Sequence, residues 1–338
     1  MADLSPGSRR EGERGQLLLI GAFIIAVSFV VLALVVNSAI FTENLATRDE
    51  VAGSGDALEF RHEVVRNGGD LMTEINQNNS IATSDQGDKF ENSLGHISTQ
   101  GALQQSAQGR IIEVENSSIT IEDGTKIAQD SAKEFGNSSN RPDLQTADWV
   151  VVEDVSNTRN FKMNVSRADE LSAPLVNPYE LIIDNGSASW TMNVSYASPL
   201  VIVTVESPSS SNPEICTRNR APDESIEIDV TGGTVGGEPC HALTRTTDGT
   251  RMWFGLENDY QIEFNNWDSI NGTYSLIIDD GTFPNPDNFG DGFGNPSNDN
   301  HDPYFRDAIY NATVPFNYYT EDVGYETEIE IAPGEVPP

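Results

Sequence analysis

The hydrophobic residues of this chain form one long run near its start and short alternating runs in its second half. Residues 17–36 read LLLIGAFIIAVSFVVLALVV and contain no charged side chain. At a helical rise of ~1.5 Å per residue this run spans about 30 Å, the thickness of the hydrocarbon core of a bilayer. We therefore expect a transmembrane helix over residues 16–37. The side chains expected to carry it are Leu17, Leu18, Leu19, Ile20, Phe23, Ile24, Phe29 and Leu32.

The charges on either side of this run predict its orientation. Arg9, Arg10 and Arg14 precede it, whereas acidic residues outnumber basic ones in the stretch that follows. By the positive-inside rule the amino terminus is cytoplasmic and the chain after about residue 40 lies outside the cell. We therefore expect a single-pass protein of the cell membrane with an extracellular head. Secretory cleavage after Ala39 is the alternative, although the apolar run is longer than that of a usual signal peptide.

Residues 38–145 show a helical spacing of apolar positions. Val64, Leu71 and Ile75 recur at intervals typical of one helix face. This predicts a stalk helix that continues from the membrane, interrupted near residues 53–55 or at Gly68-Gly69, because glycine disfavours helix. A second helix is expected over residues 89–112, and a short strand over residues 119–124.

From Trp149 the pattern changes to strict alternation, which is typical of half-buried strands. Residues 179–184 and 189–194 flank Asn185-Gly186, so they predict a hairpin with a type I′ turn. Further alternating runs cover residues 200–205, 226–230, 260–264, 274–278, 308–314 and 325–331. Many short strands between turn residues predict an antiparallel β-sandwich over residues 146–334. The expected fold class is thus α+β: an N-terminal transmembrane and stalk helix followed by an antiparallel β-sandwich-like extracellular head.

The net charge of the chain limits the classes of protein to which it can belong. Asp and Glu number 53 against 19 Lys and Arg, which gives a formal net charge of -34. Such a chain repels phosphate backbones, so we expect no nucleic-acid partner. Acids spread along the whole chain favour a surface kept soluble by negative charge, as in salt-adapted proteins. A generic acidic secreted protein is the alternative.

The residues before the apolar run resemble a known signal. A short charged leader ends in Arg14-Gly15-Gln16, directly against Leu17. This arrangement resembles the class III signal of archaeal type IV pilins and archaellins. The resemblance implies that a prepilin peptidase removes residues 1–15 between Gly15 and Gln16, and that the helix stays on the mature protein to assemble with other pilin-like subunits. Ile20 occupies the fifth mature position, where bacterial pilins have Glu; a plain signal anchor is the alternative.

Several residues of the part predicted to lie outside the cell are candidates for covalent or metal chemistry. Cys216 and Cys240 are the two cysteines of the chain, and on the oxidising side of a membrane we expect a disulfide between them. Two unpaired thiols are the alternative. The N-glycosylation sequons expected to be modified begin at Asn78, Asn116, Asn137, Asn164, Asn193, Asn271 and Asn311. Asp287, Asp291, Asp299 and Asp302 are weak candidates for Ca²⁺ ligands, because their loop does not match an EF-hand; a solvated acidic loop is the preferred interpretation.

No catalytic motif stands out. The chain has no G-x-S-x-G elbow and no phosphate-binding P-loop, and we expect neither enzymatic activity nor a cofactor. The leading hypothesis is a pilin-like, membrane-anchored, cell-surface structural subunit, a minor pilin or pseudopilin of a type IV pilus-like filament. The alternative is a signal-anchored surface glycoprotein that acts as an adhesion module without polymerising.

Overall fold

The computed structural model describes the chain from residue 57 onward, with gaps. The residues described are 57–107, 109–114, 118–136, 148–208, 212–244, 259–279, 302–321 and 324–334, together with Gly55 and Phe293. The predicted leader and the apolar run 17–36 lie outside them. All statements of structure below concern the described residues.

The described residues form two antiparallel sheets and three helices. The strands are β1 (Ile111–Val114), β2 (Thr120–Glu134), β3 (Asp148–Val155), β4 (Thr158–Val165), β5 (Tyr179–Asp184), β6 (Ser189–Ala197), β7 (Leu200–Glu206), β8 (Glu214–Asn219), β9 (Ile226–Asp229), β10 (Thr234–Val235), β11 (Glu238–Pro239), β12 (Tyr260–Asn265), β13 (Asn271–Ile278), β14 (Tyr304–Tyr319) and β15 (Gly324–Ile331). The helices are α1 (57–77), α2 (Gln86–Ser106) and α3 (His241–Thr244).

The strand order shows how the two sheets are built. The first sheet runs β1-β14-β2-β13-β4-β9-β10-β11, and β15 pairs with the free side of β14. The second sheet runs β3-β12-β5-β6-β7-β8. β14 is long because its first half pairs with β2 and its second half pairs with β1 and β15.

The two sheets pack face to face over an aromatic-rich core. In β4 the buried residues Phe161, Met163 and Val165 alternate with outward-facing Lys162 and Asn164. This alternation buries one face of each strand and leaves the other polar, as the sequence pattern predicts.

Phe264 of β12 lies near the middle of this core. Its ring centroid is 5.2 Å from that of Tyr274 and 5.7 Å from that of Trp149, and both pairs meet edge to face. Edge-to-face aromatic pairs contribute roughly 0.5–1.5 kcal/mol each beyond the area they bury. The sandwich is therefore held by β12 and β13 packing across the interface between the sheets.

A layer of two helices covers the far end of the first sheet. Met72 and Ile75 of α1 and Phe90 and Leu94 of α2 are buried in a second core with residues of β14 and β15. The β-strand residues that complete this core include Ala312, Val314, Phe316, Tyr318, Ile329 and Ile331. Each helix thus buries one apolar stripe against the sheet, which is how an amphipathic helix is stabilised.

The predicted α+β arrangement of a stalk helix followed by a separate head is wrong. β1 and β2 both fall within residues 38–145, the range assigned to the stalk and helical segment. α1 and α2 pack on β14 and β15 instead of extending away from the head. The architecture is mainly antiparallel β with a helical layer on one sheet. Periodicity revealed that each helix has an apolar face, but the surface that covers this face comes from the opposite end of the chain.

Of the two predicted break points, the one at Gly68-Gly69 is wrong, since α1 continues through both glycines, whereas residues 53 and 54 lie outside the described residues. A Cβ atom at Gly68 would lie 2.5 Å from Cδ1 of Ile331. Glycine is present there because the helix backbone approaches β15 closely. The glycine pair therefore marks a packing contact between α1 and β15.

The predicted location, a single-pass membrane protein with an extracellular head, is not supported. Within the described ranges, no helix combines the length and the apolar composition needed to cross a membrane. α1 and α2 bury only one face and carry polar side chains elsewhere. The predicted span over residues 16–37 and the predicted cleavage site between Gly15 and Gln16 lie outside the described residues.

The hairpin formed by β5 and β6 is confirmed, but its turn differs from the predicted type I′ turn. Asp184 pairs with Ser189, so four residues connect the strands. Oδ1 of Asn185 accepts hydrogen bonds from the backbone N–H groups of Ser187 and Ala188. Asn185 thus stabilises the longer loop through its side chain, a role that short polar residues often play in turns.

Candidate interaction surfaces

The helical groove is a cavity between α1, α2 and β1. Its volume is about 280 Å³, and its apolar lining comes from all three elements: Phe60, Val64, Leu94, Ile97, Gly101 and Val114. Phe60 forms its base, with its ring stacked on Phe316 of β14 at a centroid distance of 5.9 Å. A Cβ atom at Gly101 would lie 3.2 Å from Phe60, so glycine gives α2 room beside this ring.

Large hydrophobic side chains are exposed on the elements that form the helical groove. Leu58 is 48% exposed, Ile97 40%, Leu103 69% and Ile111 64%. Glu63 is the single charged residue among those that line the groove. Of these four residues, Ile97 lines the groove itself. Exposed apolar side chains on a surface with little charge are typical of an interaction surface.

An asparagine joins the end of α1 to β14. Asn76 is buried, its Nδ2 donates to the carbonyl of Ile309, and its Oδ1 accepts from the N–H of Ile309, both at 2.9 Å. The β14–β2 register shifts between Ile309 and Asn311. Asn76 therefore satisfies the backbone groups of Ile309 at an irregular point of the strand, where they would otherwise be buried without partners.

An arginine of β14 holds the chain just after α1. Nη1 of Arg306 donates to Oδ1 of Asn79 at 2.9 Å, and Nη2 donates to the carbonyl of Ile81 at 3.0 Å. Nη1 also lies 3.3 Å from the carbonyl of Asn78. A cation beside the carboxyl end of a helix is favourable because the helix dipole places negative charge there.

Titratable groups of β2 and β14 surround this arginine. The hydroxyl of Tyr304 donates to Oδ2 of Asp130 at 2.7 Å, and Lys126 lies 5.8 Å from the centre of the Tyr304 ring. Burial raises the pKa of Tyr304, and the hydrogen bond to Asp130 raises it further. Burial lowers the pKa of Lys126, although the charge of Asp130 partly opposes that change. The hydrogen bonds of Arg306 and Tyr304 join the end of α1 to the first sheet.

Cys216 and Cys240 form a disulfide bond, with their Cα atoms 5.8 Å apart. Cys216 lies on β8, the last strand of the second sheet, and Cys240 directly follows β11, the last strand of the first. Arg218 strengthens the same edge, because its Nε donates to the carbonyl of Val235 at 3.0 Å and lies 3.2 Å from a carboxylate oxygen of Glu238. The bond therefore closes one edge of the sandwich.

The sequon asparagines occupy different environments. Asn116 and Asn137 lie outside the described residues. Asn78 is exposed after α1, and its Oδ1 accepts a hydrogen bond from the N–H of Ser80 at 3.0 Å. Asn271 is half-buried at the start of β13.

The other three described sequons lie within strands. Asn164 is exposed on β4. Asn193 lies on β6 with a buried Oδ1 atom that has no hydrogen-bond partner. Asn311 of β14 donates its amide to Glu122. The structure thus separates sequons that look alike in the sequence.

The Ca²⁺ candidates Asp287, Asp291 and Asp299 lie outside the described residues. Asp302 is described, and Oδ2 of this residue accepts a hydrogen bond from the N–H of Ser131 at 2.7 Å. Its backbone carbonyl accepts from Lys133. In the part of the chain that the structure describes, no group of three or more His, Cys, Asp or Glu residues is placed to hold a metal ion.

Sequence reasoning missed the polar residues that connect the layers. Asn76 and Arg306 lie among ordinary polar residues of their segments, and their partners are more than 200 residues away in the chain. Arg159 is similar: it is 1% exposed, and its guanidinium carbon lies 3.6 Å from the centre of the Tyr310 ring. Their local sequence therefore gave no signal that set them apart from other polar residues.

Comparison with models of protein families gives a match over the first half of the chain. A family model described as "Family of unknown function (DUF7261)" matches residues 11–159. The matched range begins in the predicted leader, includes the apolar run, both long helices and β1 to β3, and ends at the start of β4. No curated protein matches the chain.

Proposed function

We propose that this chain is a non-catalytic structural subunit that associates with further copies of itself through the helical groove. The observation that carries the proposal is the exposure of Leu58, Ile97, Leu103 and Ile111 on the elements that form this groove. The resemblance of residues 10–17 to the signal of archaeal pilins and archaellins supports the same class of function, since those proteins form filaments of like subunits.

The energetics favour this surface for self-association. Fully burying a Leu or Ile side chain contributes about 1.5–3 kcal/mol, and the exposed Ile97 lies in the groove. A chain with a net charge of -34 repels its own copies over most of its surface. The helical groove has Glu63 as the one charged residue in its lining, so two copies meet there with less repulsion.

Substitution of the exposed isoleucine that lines the groove tests this proposal. We expect Ile97→Glu to weaken self-association of the full chain by about tenfold or more, which corresponds to ~1.4 kcal/mol. Sedimentation velocity over a concentration series at high salt measures the dissociation constant. Leu175→Glu is the matched control, because Leu175 is 97% exposed in the loop before β5 and should leave association unchanged.

Two outcomes would count against the proposal. A wild-type chain that stays monomeric at every concentration would contradict it and favour a binding module that does not polymerise. Equal weakening by both substitutions would show that added charge, and not the groove, governs association.

Processing of the leader is a separate prediction. We expect the mature protein from its native cells to begin at Gln16, as the resemblance of Arg14-Gly15-Gln16 implies. Amino-terminal sequencing measures this directly, and Gly15→Phe should block the cleavage. A mature chain that retains residues 1–15 would contradict the pilin-like interpretation.

A further inference from the structure

We propose that Asn164 carries an N-linked sugar, and that this sugar lies in a polar groove on the outer face of the first sheet. The proposal starts from the sequon Asn164-Val165-Ser166. It goes beyond self-association and does not depend on the helical groove.

The position of Asn164 makes its amide accessible. Met163 and Val165 on either side are fully buried, so the alternation of β4 directs Asn164 away from the core. The residue is exposed, and its side chain makes no hydrogen bond within the described structure. Its Nδ2 atom is therefore not engaged by the fold.

The surroundings of Asn164 suit a sugar. Thr273 of β13 and Glu227 of β9 are its direct neighbours across the sheet. With Lys162 and Ser275 they line the polar groove, a cavity of about 250 Å³. Hydroxyl, carboxylate and ammonium groups supply both donors and acceptors for the hydroxyl groups of a sugar.

The other strand sequons are less suited to modification. The amide of Asn311 donates to Glu122, and the amide oxygen of Asn193 is buried. Attaching a sugar at either position would disturb an existing contact or a buried environment. The structure therefore favours Asn164 over these two sequons.

N-glycosylation requires that the chain is exported, and the disulfide bond supports export independently of the sequon. Structural disulfides persist in oxidising compartments, and N-linked sugars are added to chains that are exported. In the reaction, Nδ2 of Asn164 forms a bond to the anomeric carbon of a sugar, and the bond from that carbon to the phosphate of a lipid-linked glycosyl donor breaks. The lipid phosphate leaves, and one amide proton passes to the base of the transferase.

Mass spectrometry of the full chain from its native cells tests the proposal. We expect the proteolytic peptide that contains Asn164 to exceed its sequence mass by at least one sugar residue. Asn164→Gln should remove this increment, and Ser166→Ala should remove it while keeping the asparagine. Asn193→Gln is the matched control and should leave the mass of the Asn164 peptide unchanged.

The same sample shows why the modification at Asn164 is absent, if it is absent. The Cys216–Cys240 bond is measured by the mass gained on alkylation before and after reduction. An unmodified Asn164 beside an intact disulfide overturns the proposal and leaves the proposed structural function standing. An unmodified Asn164 beside free thiols overturns both the proposal and the assignment to an oxidising compartment.

Discussion

Two tyrosines of the sandwich core carry buried hydroxyl groups without hydrogen-bond partners. They are Tyr179 of β5 and Tyr274 of β13. Burial raises the pKa of each well above its usual value, because the charged phenolate would lose its solvation. The rings pack well, since Tyr274 meets Phe135 at a centroid distance of 5.0 Å. At the scale of single residues, the aromatic packing in the core thus outweighs the cost of two unpaired hydroxyl groups.

Removing the hydroxyl of Tyr274 should therefore not lower the free energy of unfolding at neutral pH. We expect Tyr274→Phe to leave the free energy of unfolding unchanged or to raise it by about 1 kcal/mol, because a buried unpaired hydroxyl is lost. Urea unfolding at neutral pH measures the change. Tyr260→Phe is the control: Tyr260 donates to Oγ1 of Thr158 at 2.8 Å, so its loss should lower the free energy by about 1 kcal/mol. Equal losses in both variants would contradict this account.

The same tyrosines predict a loss of stability at alkaline pH. In the unfolded chain the hydroxyl titrates near pH 10, whereas in the folded chain Tyr274 keeps its proton to higher pH. The folded state then binds more protons, so stability is full below about pH 10 and falls as the pH rises above it. We expect Tyr274→Phe to make this fall shallower. Burial lowers the pKa of Lys126, so this residue makes stability rise with pH, but it is present in both the wild type and the variant. An unchanged dependence of stability on pH in Tyr274→Phe would therefore contradict the prediction.

At the scale of elements, the contact between α1 and β14 connects the helical layer to the first sheet. Apolar spacing over Val64 to Ile75 predicted a helix, and α1 is a helix. The same spacing could not indicate that Gly68 packs on Ile331 or that Asn76 pairs with Ile309. These partners lie on β14 and β15, far along the chain, so local periodicity carries no information about them.

Asn76→Ala tests the contact between α1 and β14. The substitution leaves the N–H and carbonyl of Ile309 buried without the partners that Asn76 provides, at about 1–3 kcal/mol for each group. We expect a loss of roughly 2–4 kcal/mol in the free energy of unfolding, measured by urea titration. Asn92→Ala is the matched control, since Asn92 also donates to a helix carbonyl but is exposed on α2. A loss no greater than that of the control would refute the role of Asn76.

At the scale of the whole molecule, charge is the dominant feature. Glu326, Glu328 and Glu330 are exposed on one face of β15 while Ile329 and Ile331 are buried, which agrees with the alternating pattern of residues 325–331. Like charges two residues apart on a strand repel each other, and the net charge of -34 adds repulsion at longer range. Salt should therefore stabilise this fold.

Raising potassium chloride from about 0.1 M to about 1 M shortens the Debye length from ~10 Å to ~3 Å. We expect the melting temperature to rise by several degrees, since about 1 kcal/mol corresponds to ~2–4 °C in a domain of this size class. Differential scanning calorimetry measures the change. A variant with Glu326→Gln, Glu328→Gln and Glu330→Gln should be more stable at low salt and respond less to added salt. A melting temperature independent of salt would exclude charge repulsion as a factor in stability.

The sequence by itself determined most strands of the head, the two long helices in outline and the charged surface, because alternation, helical spacing and composition are local properties of the chain. It missed β1, whose first two residues fall in the range predicted as a helix. The structure alone decided what each apolar face packs against, that β14 serves both the sandwich and the helical layer, and that Asn164 differs from Asn193 and Asn311. The predicted fold class was wrong for the same reason: an amphipathic helix has the same pattern whether it stands alone or covers a sheet. Its partner is selected by long-range packing, which depends on strands that are joined only when the chain has folded.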